Sequence, residues 1–294
     1  MATIRSVLSK TDLPAAEART LLAHLFAHYF QLPKSALISR DEMPLSGPFL
    51  TDWQALEARR MNGEPIAYLI GKRPFHQIEL AVNSAVLIPR PETELLVDLA
   101  LQEMARLKQQ NPAAARHILD LGTGSGAIAL AIAAAFDEPQ EAISQPRIVA
   151  TDLSAEALRV AKFNAVHLNL DQHIELIEGD WYHALPQPLF TGTFDLILSN
   201  PPYIHAKDQH LQQGDLRFEP LAALSDGIDG LSCLRTIIAG ARLFLRPQGF
   251  IAVEHGHDQL SSVLQMMNRA GLQAVKSYTD LAGHPRVVSA RKLN

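Results

Sequence analysis

The sequence predicts an α/β protein: a doubly wound, mostly parallel, Rossmann-like sheet, with a small all-helical N-terminal domain and a β-hairpin linker before it. Three observations carry this expectation. Beyond residue 115, apolar runs of strand length alternate with helical patterns, as in a parallel sheet covered on both faces. The first 70 or so residues space their apolar positions as helices do, with no competing strand pattern. Between the two regions, FHQIELAVNSAVLI (75–88) falls into short apolar stretches broken at Asn83 and Ser84.

Taken in order, Leu21, Leu22, Leu25, Phe26 and Tyr29 mark a first helix, with Asp12 and Pro14 as its start signal. Trp53, Leu56 and Arg60 mark another, ended near Gly63 and Pro65. These elements define a helical domain over 1–72, a hairpin linker over 73–90 and an α/β domain over 91–294. The last opens with PRPETELLVDLALQEMARL, a helix with Pro91 near its start, acids in its first turn and Leu95, Leu96, Leu99 and Met104 on its apolar face. Strands are expected at His117–Leu121, Arg147–Thr151, Ile174–Ile177, Phe194–Ser199 and Phe250–Glu254, with helices at Gly126–Phe136, Ala155–Leu168 and Leu231–Leu245. Two closely spaced strands, Leu272–Tyr278 and Pro285–Arg291, end the chain, one of them antiparallel.

Composition narrows the function classes. With 47% hydrophobic and 19% charged residues the chain is globular. A net charge of −5 argues against a broad electrostatic grip on nucleic acid, although it leaves room for a local basic patch. Cys233 is the sole cysteine, so an intrachain disulfide and a four-thiolate zinc site are excluded. The first twenty residues lack a signal-like apolar core, Asp12 and Glu17 are out of place in a transit peptide, and no run approaches the roughly 20 apolar residues of a membrane span. The expectation is a soluble, cytoplasmic protein.

The glycine loop is the first chemical signal. DLGTGSG places Gly122, Thr123, Gly124, Ser125 and Gly126 between a strand and a helix, where glycines let a ligand approach the backbone. Alone this is a weak signal. It gains from Asp152 at the end of the next strand, a carboxylate suited to ribose hydroxyls, although capping of the helix at Ala155 is the competing reading. Asp152 lies 26 residues beyond Gly126, and the polar insert Asp137–Gln145 accounts for the long interval. The spacing G-x-G-x-G, preceded by Asp120, differs from the dinucleotide pattern and suits S-adenosylmethionine, which has no pyrophosphate to seat. In EGDWY, Asp180 is a candidate acceptor for an adenine amino group and Trp181 a stacking surface, with a plain strand-end turn as the alternative.

The second signal is SNPPYI. The tetrapeptide Asn200, Pro201, Pro202 and Tyr203 supplies a side-chain oxygen, a stiffened carbonyl and an aromatic face at one strand end. A planar –NH₂ is a poor nucleophile because its lone pair is delocalised, and what it needs is orientation. Asn200 Oδ1 and the Pro201 carbonyl can each accept one N–H, turning the nitrogen toward a methyl sulfonium, with Tyr203 beneath the planar group. The tetrapeptide by itself leaves open whether that group is an exocyclic amine of a nucleobase or the side-chain amide of glutamine.

Together, RRMNGEPIAYLIGKRPF, LIPRPETELLV, DLGTGSGAIALAIA, SNPPYI, RFEPLAALSDGIDGL and VEHG, in this order from about residue 59 to 258, resemble the release-factor glutamine methyltransferases, the HemK/PrmC family. Residues 1–58 are similar only as a helical domain of suitable size. The resemblance implies a seven-stranded methyltransferase sheet, S-adenosyl-L-methionine as donor, and the glutamine of the Gly-Gly-Gln motif of peptide-chain release factors as substrate. It assigns Gly122–Gly126 to the methionine moiety, Asp152 to the ribose, Trp181 to the adenine side and Asn200–Tyr203 to the glutamine amide. The long, aperiodic stretch Ile204–Gly230 suits one wall of a substrate site, with Arg90, Glu92, Arg217 and Glu219 as candidate contacts and surface salt bridges as the alternative. A monomer with no direct nucleic-acid or membrane partner is expected, and a nucleic-acid amino methyltransferase is the rival reading. His24 and His28 lie one helical turn apart without a third ligand, and His255 and His257 follow a Glu254 that reads first as support at a strand end, so no metal is expected. Cys233, flanked by Leu231 and Leu234, reads as a core residue.

Overall fold

The computed structural model describes residues 2–136 and 146–293. They form two compact units, Met1–Lys72 with Gln212–Phe218, and Arg73–Leu211 with Glu219–Asn294. The insert Asp137–Gln145 lies outside the described residues.

The first unit contains α1 (Ile4–Leu8), α2 (Ala15–Phe30), α3 (Ala36–Ser39), α4 (Gly47–Met61) and α5 (Ile66–Ile70). Leu21, Leu22, Leu25 and Phe26 of α2 are buried together with Phe49 and Trp53 of α4, where Phe26 meets Phe49 edge-on at 6.4 Å. Ser46 caps α4 by accepting from the Phe49 N–H. Pro14 precedes α2, and no side chain caps that helix. The segment Gln212–Phe218 joins this unit through charge. Arg60 pairs with Glu17 at 2.6 Å and Asp215 at 2.9 Å, and Arg217 donates to the Asn62 carbonyl at 2.6 Å.

The second unit begins at Arg73, within the hairpin of β1 (Lys72–Phe75) and β2 (Ile78–Ala81). The hairpin turns at His76, not at Asn83–Ser84 as the sequence led us to expect. His76 takes φ 50°, and the Asn83 side chain closes a separate turn by accepting from the Ala85 N–H. A 3₁₀ turn, Pro91–Thr93, leads into α6 (Glu94–Gln110). Then follow β3 (His117–Leu121), α7 (Ala127–Ala135), β4 (Arg147–Asp152), α8 (Ala155–His167), β5 (Ile174–Glu178), β6 (Phe194–Ser199), α9 (Leu221–Leu224), α10 (Ser232–Phe244), β7 (Leu245–Glu254), α11 (Leu260–Arg269), β8 (Gln273–Thr279) and β9 (Pro285–Arg291).

One seven-stranded sheet runs in the order β5-β4-β3-β6-β7-β9-β8. All pairs are parallel except those of β9, which is antiparallel to both β7 and β8. The pleat sends alternate residues to opposite faces. Ile118, Leu196, Leu198 and Phe250 face a core built with α6 and α7, whereas Leu119, Ile197 and Ile251 face one built with α10 and α11. β4 and β6 lie on opposite sides of β3, so the winding reverses there, and the crevice at the carboxyl ends of these strands is the place where such sheets bind ligands.

Candidate active site

Register brings the sequence signals to one level. Leu121 stands opposite both Thr151 and Ser199, so Gly122, Asp152 and Asn200 leave three adjacent strands side by side. The Ser199 hydroxyl donates to the Leu121 carbonyl at 2.7 Å, and the N–H groups of Gly122 and Thr123 both donate to the Thr151 carbonyl. Gly122, Gly124 and Gly126 have φ of 73°, 58° and 85°, a left-handed course that side chains resist. Asp152 serves the loop rather than the helix after it. Its Oδ2 accepts from the Gly124 N–H at 2.8 Å, while Ser154 caps α8. Burial pushes the Asp152 carboxyl above its usual range, with the N–H groups of Ser154, Gly124 and Leu153 opposing.

Asp120 lies beneath the loop with no exposure. Burial pushes its carboxyl up to about 7, against hydrogen bonds from the Thr123 hydroxyl and the Ala129 N–H. Its Oδ1 is buried and unpartnered.

Beyond β5, Trp181 has φ 45°, and its indole lies over the loop. A Cβ at Gly122 would sit 3.2 Å from the ring. Asp180 is largely exposed and lies 3.9 Å from His183 Nδ1. Tyr182 turns inward, stacking on Phe244 at 4.5 Å and donating to the Ile237 carbonyl at 2.8 Å.

The tetrapeptide is held at both ends. Asn200 Nδ2 donates to Thr93 Oγ1 at 2.9 Å, and the Tyr203 hydroxyl donates to Glu254 Oε1 at 3.0 Å. Burial pushes the Glu254 carboxyl up to about 7, although hydrogen bonding from Thr93 and Tyr203 pulls the other way. Gln259 Nε2 donates to the carbonyls of Tyr203 and Gly230, and a Cβ at Gly230 would lie 2.3 Å from the Tyr203 oxygen, so only glycine fits there. Asp226 orders the loop that delivers Gly230. Burial resists its ionisation, but the Ser232 hydroxyl and the N–H groups of residues 228, 230 and 232 outweigh that and lower its pKa to about 2.

The four charged candidates divide. Glu219 is buried, accepting from the Ile88 N–H at 2.9 Å and from the Arg90 guanidinium, which makes this a structural pair and not a surface one. Glu92 lies in the Pro91–Thr93 turn, and its charge acts on Glu254 and Arg286. Arg217 belongs to the first unit, on the Asn62 carbonyl. Thr93, Gln259 and Asp226 escaped the sequence reading. The D-G dipeptides around Asp226 were a turn signal, whereas nothing local distinguishes Thr93 or Gln259.

Among the described residues no cluster of three or more His, Cys, Asp or Glu is placed to hold a metal ion, and no helix is long and apolar enough to cross a membrane. Burial lowers the pKa of His24 and raises that of Cys233.

The sheet order and the glycine loop at its reversal point define the class: an S-adenosylmethionine-dependent methyltransferase. The "Methyltransferase domain" family model matches residues 113–282, and the "PrmC N-terminal domain" model matches residues 1–71. The chain is 45% identical over 267 residues to the release factor glutamine methyltransferase of Xylella fastidiosa, covering 91% of this chain and 90% of that one. It is 44% identical over 287 residues to that of Bordetella pertussis, covering 98% of each. The chain belongs to the release factor glutamine methyltransferase family. Solved structures share the fold at low identity. A methyltransferase from Pyrococcus furiosus matches with TM-score 0.52 and 17% identity over 82% of this chain and all of that one. The catalytic domain of human METTL16 matches with TM-score 0.54 and 14% identity over 85% and 83%.

The donor fits the residues present. A Cβ at Gly124 would meet nothing within 4 Å, so there is open space against the loop backbone, and the orphaned Asp120 Oδ1 offers a buried acceptor for an amino group beside it.

Proposed function

We propose that this protein methylates the side-chain amide nitrogen of the glutamine in the Gly-Gly-Gln motif of peptide-chain release factors, acting as a cytoplasmic monomer. One observation carries the reading: Asn200–Tyr203 leaves β6 beside the glycine loop of β3, the two being level across paired strands. Bound S-adenosylmethionine supplies an electrophilic methyl group on sulfur.

Gly122, Thr123, Gly124, Ser125 and Gly126 cradle the methionine end of the donor, Asp152 accepts from its ribose hydroxyls, and Asp180 and Trp181 flank its adenine. Asn200 Oδ1 and the Pro201 carbonyl accept the two amide hydrogens and aim the nitrogen lone pair. Pro202 stiffens the turn, and Tyr203 supports the amide plane. Each hydrogen bond contributes only about 0.5–1.5 kcal/mol net. Alignment of the reacting atoms contributes more, up to roughly 7–11 kcal/mol in the best cases. Arg90 and Glu219 shape the wall formed by residues 219–230, Glu92 contacts the substrate from the second unit, and Arg217 is a separate candidate contact in the first unit.

The test uses purified protein, radiolabelled donor and a release factor carrying Gln or Ala at the Gly-Gly-Gln tip. Label in the Gln form alone supports the reading. Label in RNA or DNA, and none in protein, overturns it.

A further inference from the structure

We propose that Thr93 is a positioning residue for Asn200: its hydroxyl fixes which end of the Asn200 carboxamide is left free for substrate, and Glu254 fixes the hydroxyl. The inference rests on the reading of Asn200 as an acceptor for the substrate amide.

A carboxamide has an acceptor end and a donor end of nearly equal size, and a half-turn about its last torsion exchanges them. The clamp works in only one of the two states. With Oδ1 free, Asn200 accepts an N–H of the substrate. With Nδ2 free, it sets a donor against a donor. Packing cannot make this choice, because the two ends have the same shape, so a hydrogen-bond partner of definite polarity has to make it.

Thr93 is that partner. It is buried in the Pro91–Thr93 turn, and Asn200 Nδ2 donates to its Oγ1 at 2.9 Å across 107 residues of sequence. A hydroxyl has one hydrogen, so it offers a lone pair to Asn200 reliably only when that hydrogen is engaged elsewhere. Glu254 engages it. This carboxyl is 1% exposed at the end of β7, Tyr203 already occupies Oε1, and the buried Oε2 has no hydrogen-bond partner and is the acceptor left for the Thr93 hydrogen. Hydrogen bonding from Thr93 acts on the same carboxyl. Polarity then runs one way, from Asn200 N–H to Thr93 oxygen and from Thr93 O–H to Glu254, and Asn200 Oδ1 is the end left over. Through Thr93 and Tyr203, one buried carboxyl orients both ends of the tetrapeptide.

Three variants test this, with methyl transfer to a release factor followed at saturating donor and donor affinity measured by calorimetry. Thr93→Val should lower kcat at least tenfold with donor Kd nearly unchanged, at the cost of a lower thermal midpoint because it strands Asn200 Nδ2. Thr93→Ser, which keeps the hydroxyl, should stay within about threefold of the parent. Asn200→Ala should lose about a hundredfold or more, and adding Thr93→Val to it should cost little further. Should valine disturb folding, Thr93→Ala removes the hydroxyl without adding bulk and carries the same expectation. A parent-like Thr93→Val, a Thr93→Ser as poor as Thr93→Val, or a Thr93 effect that multiplies in full with Asn200→Ala would overturn the positioning role and leave the clamp standing. A parent-like Asn200→Ala would overturn the clamp and this inference with it.

Discussion

The Tyr203 hydroxyl donates to Glu254 Oε1 at 3.0 Å, joining the last residue of the Asn-Pro-Pro-Tyr turn to the end of a neighbouring strand. The bond lies in a buried polar cluster, where losing a partner costs more than the bond itself contributes.

Tyr203→Phe removes that donor from a carboxyl with 1% exposure. The expected loss is about 1–3 kcal/mol. Urea unfolding should show a lower midpoint at unchanged slope. A midpoint equal to the parent's would mean that water or another group replaces the phenol.

Asp120 gives stability a pH dependence of definite sign. Its folded pKa is raised to about 7 from an ordinary 3.8, so it favours the fold below the ordinary value and loses that contribution as pH rises through 7. Asp120→Asn removes the titration. Without added donor, the variant's stability relative to the parent should therefore rise between about pH 5 and about pH 8. A constant difference over that range would show that Asp120 is not perturbed.

Gly240 lies in α10 against Tyr182, and an added Cβ would lie 2.5 Å from two ring carbons. The ring cannot withdraw easily, being stacked on Phe244 and tied through its hydroxyl to Ile237. Gly→Ala inside a helix ordinarily stabilises by about 1 kcal/mol. Here overpacking should reverse the sign and cost about 1–3 kcal/mol. A calorimetric midpoint above the parent's would contradict this packing.

Glu219 is expected to be structural first. Glu219→Ala strands the Ile88 N–H and uncouples Arg90, a loss of about 3–5 kcal/mol if the pair behaves as a buried one. Glu219→Gln keeps an acceptor for Ile88 and should lose distinctly less. Equal losses in guanidinium unfolding would show that the charge facing Arg90, which both variants lack, carries the effect, and not the acceptor for Ile88 or the side-chain volume.

Much of this architecture was legible in the sequence because each signal was local. Short apolar runs such as Phe194–Ser199 became strands buried on both faces, and the all-apolar Ala127–Ala135 became a helix buried on nearly every side. The glycine loop and Asp152 declared themselves through strand ends. What stayed hidden depends on distant partners. Thr93 gains its meaning from Asn200, Gln259 from Tyr203 and Glu219 from Ile88, and no periodicity records pairings across 56 to 131 residues. The hairpin was misplaced because His76 turns in a left-handed conformation with no glycine to announce it, whereas Asn83 announces a turn of its own.

The excursion of Gln212–Phe218 into the first unit changes how the protein can be dissected. The chain crosses between its units at 72/73, 211/212 and 218/219, so three covalent crossings join them where a simple tandem arrangement has one. A fragment truncated at Lys72 keeps Asp215 and Arg217 but deprives them of Arg60 and Asn62. Such a fragment has an unanchored loop as well as a missing domain, and its defects are those of both. Replacing residues 212–218 by a glycine-serine bridge in the full chain supplies the control that separates the two.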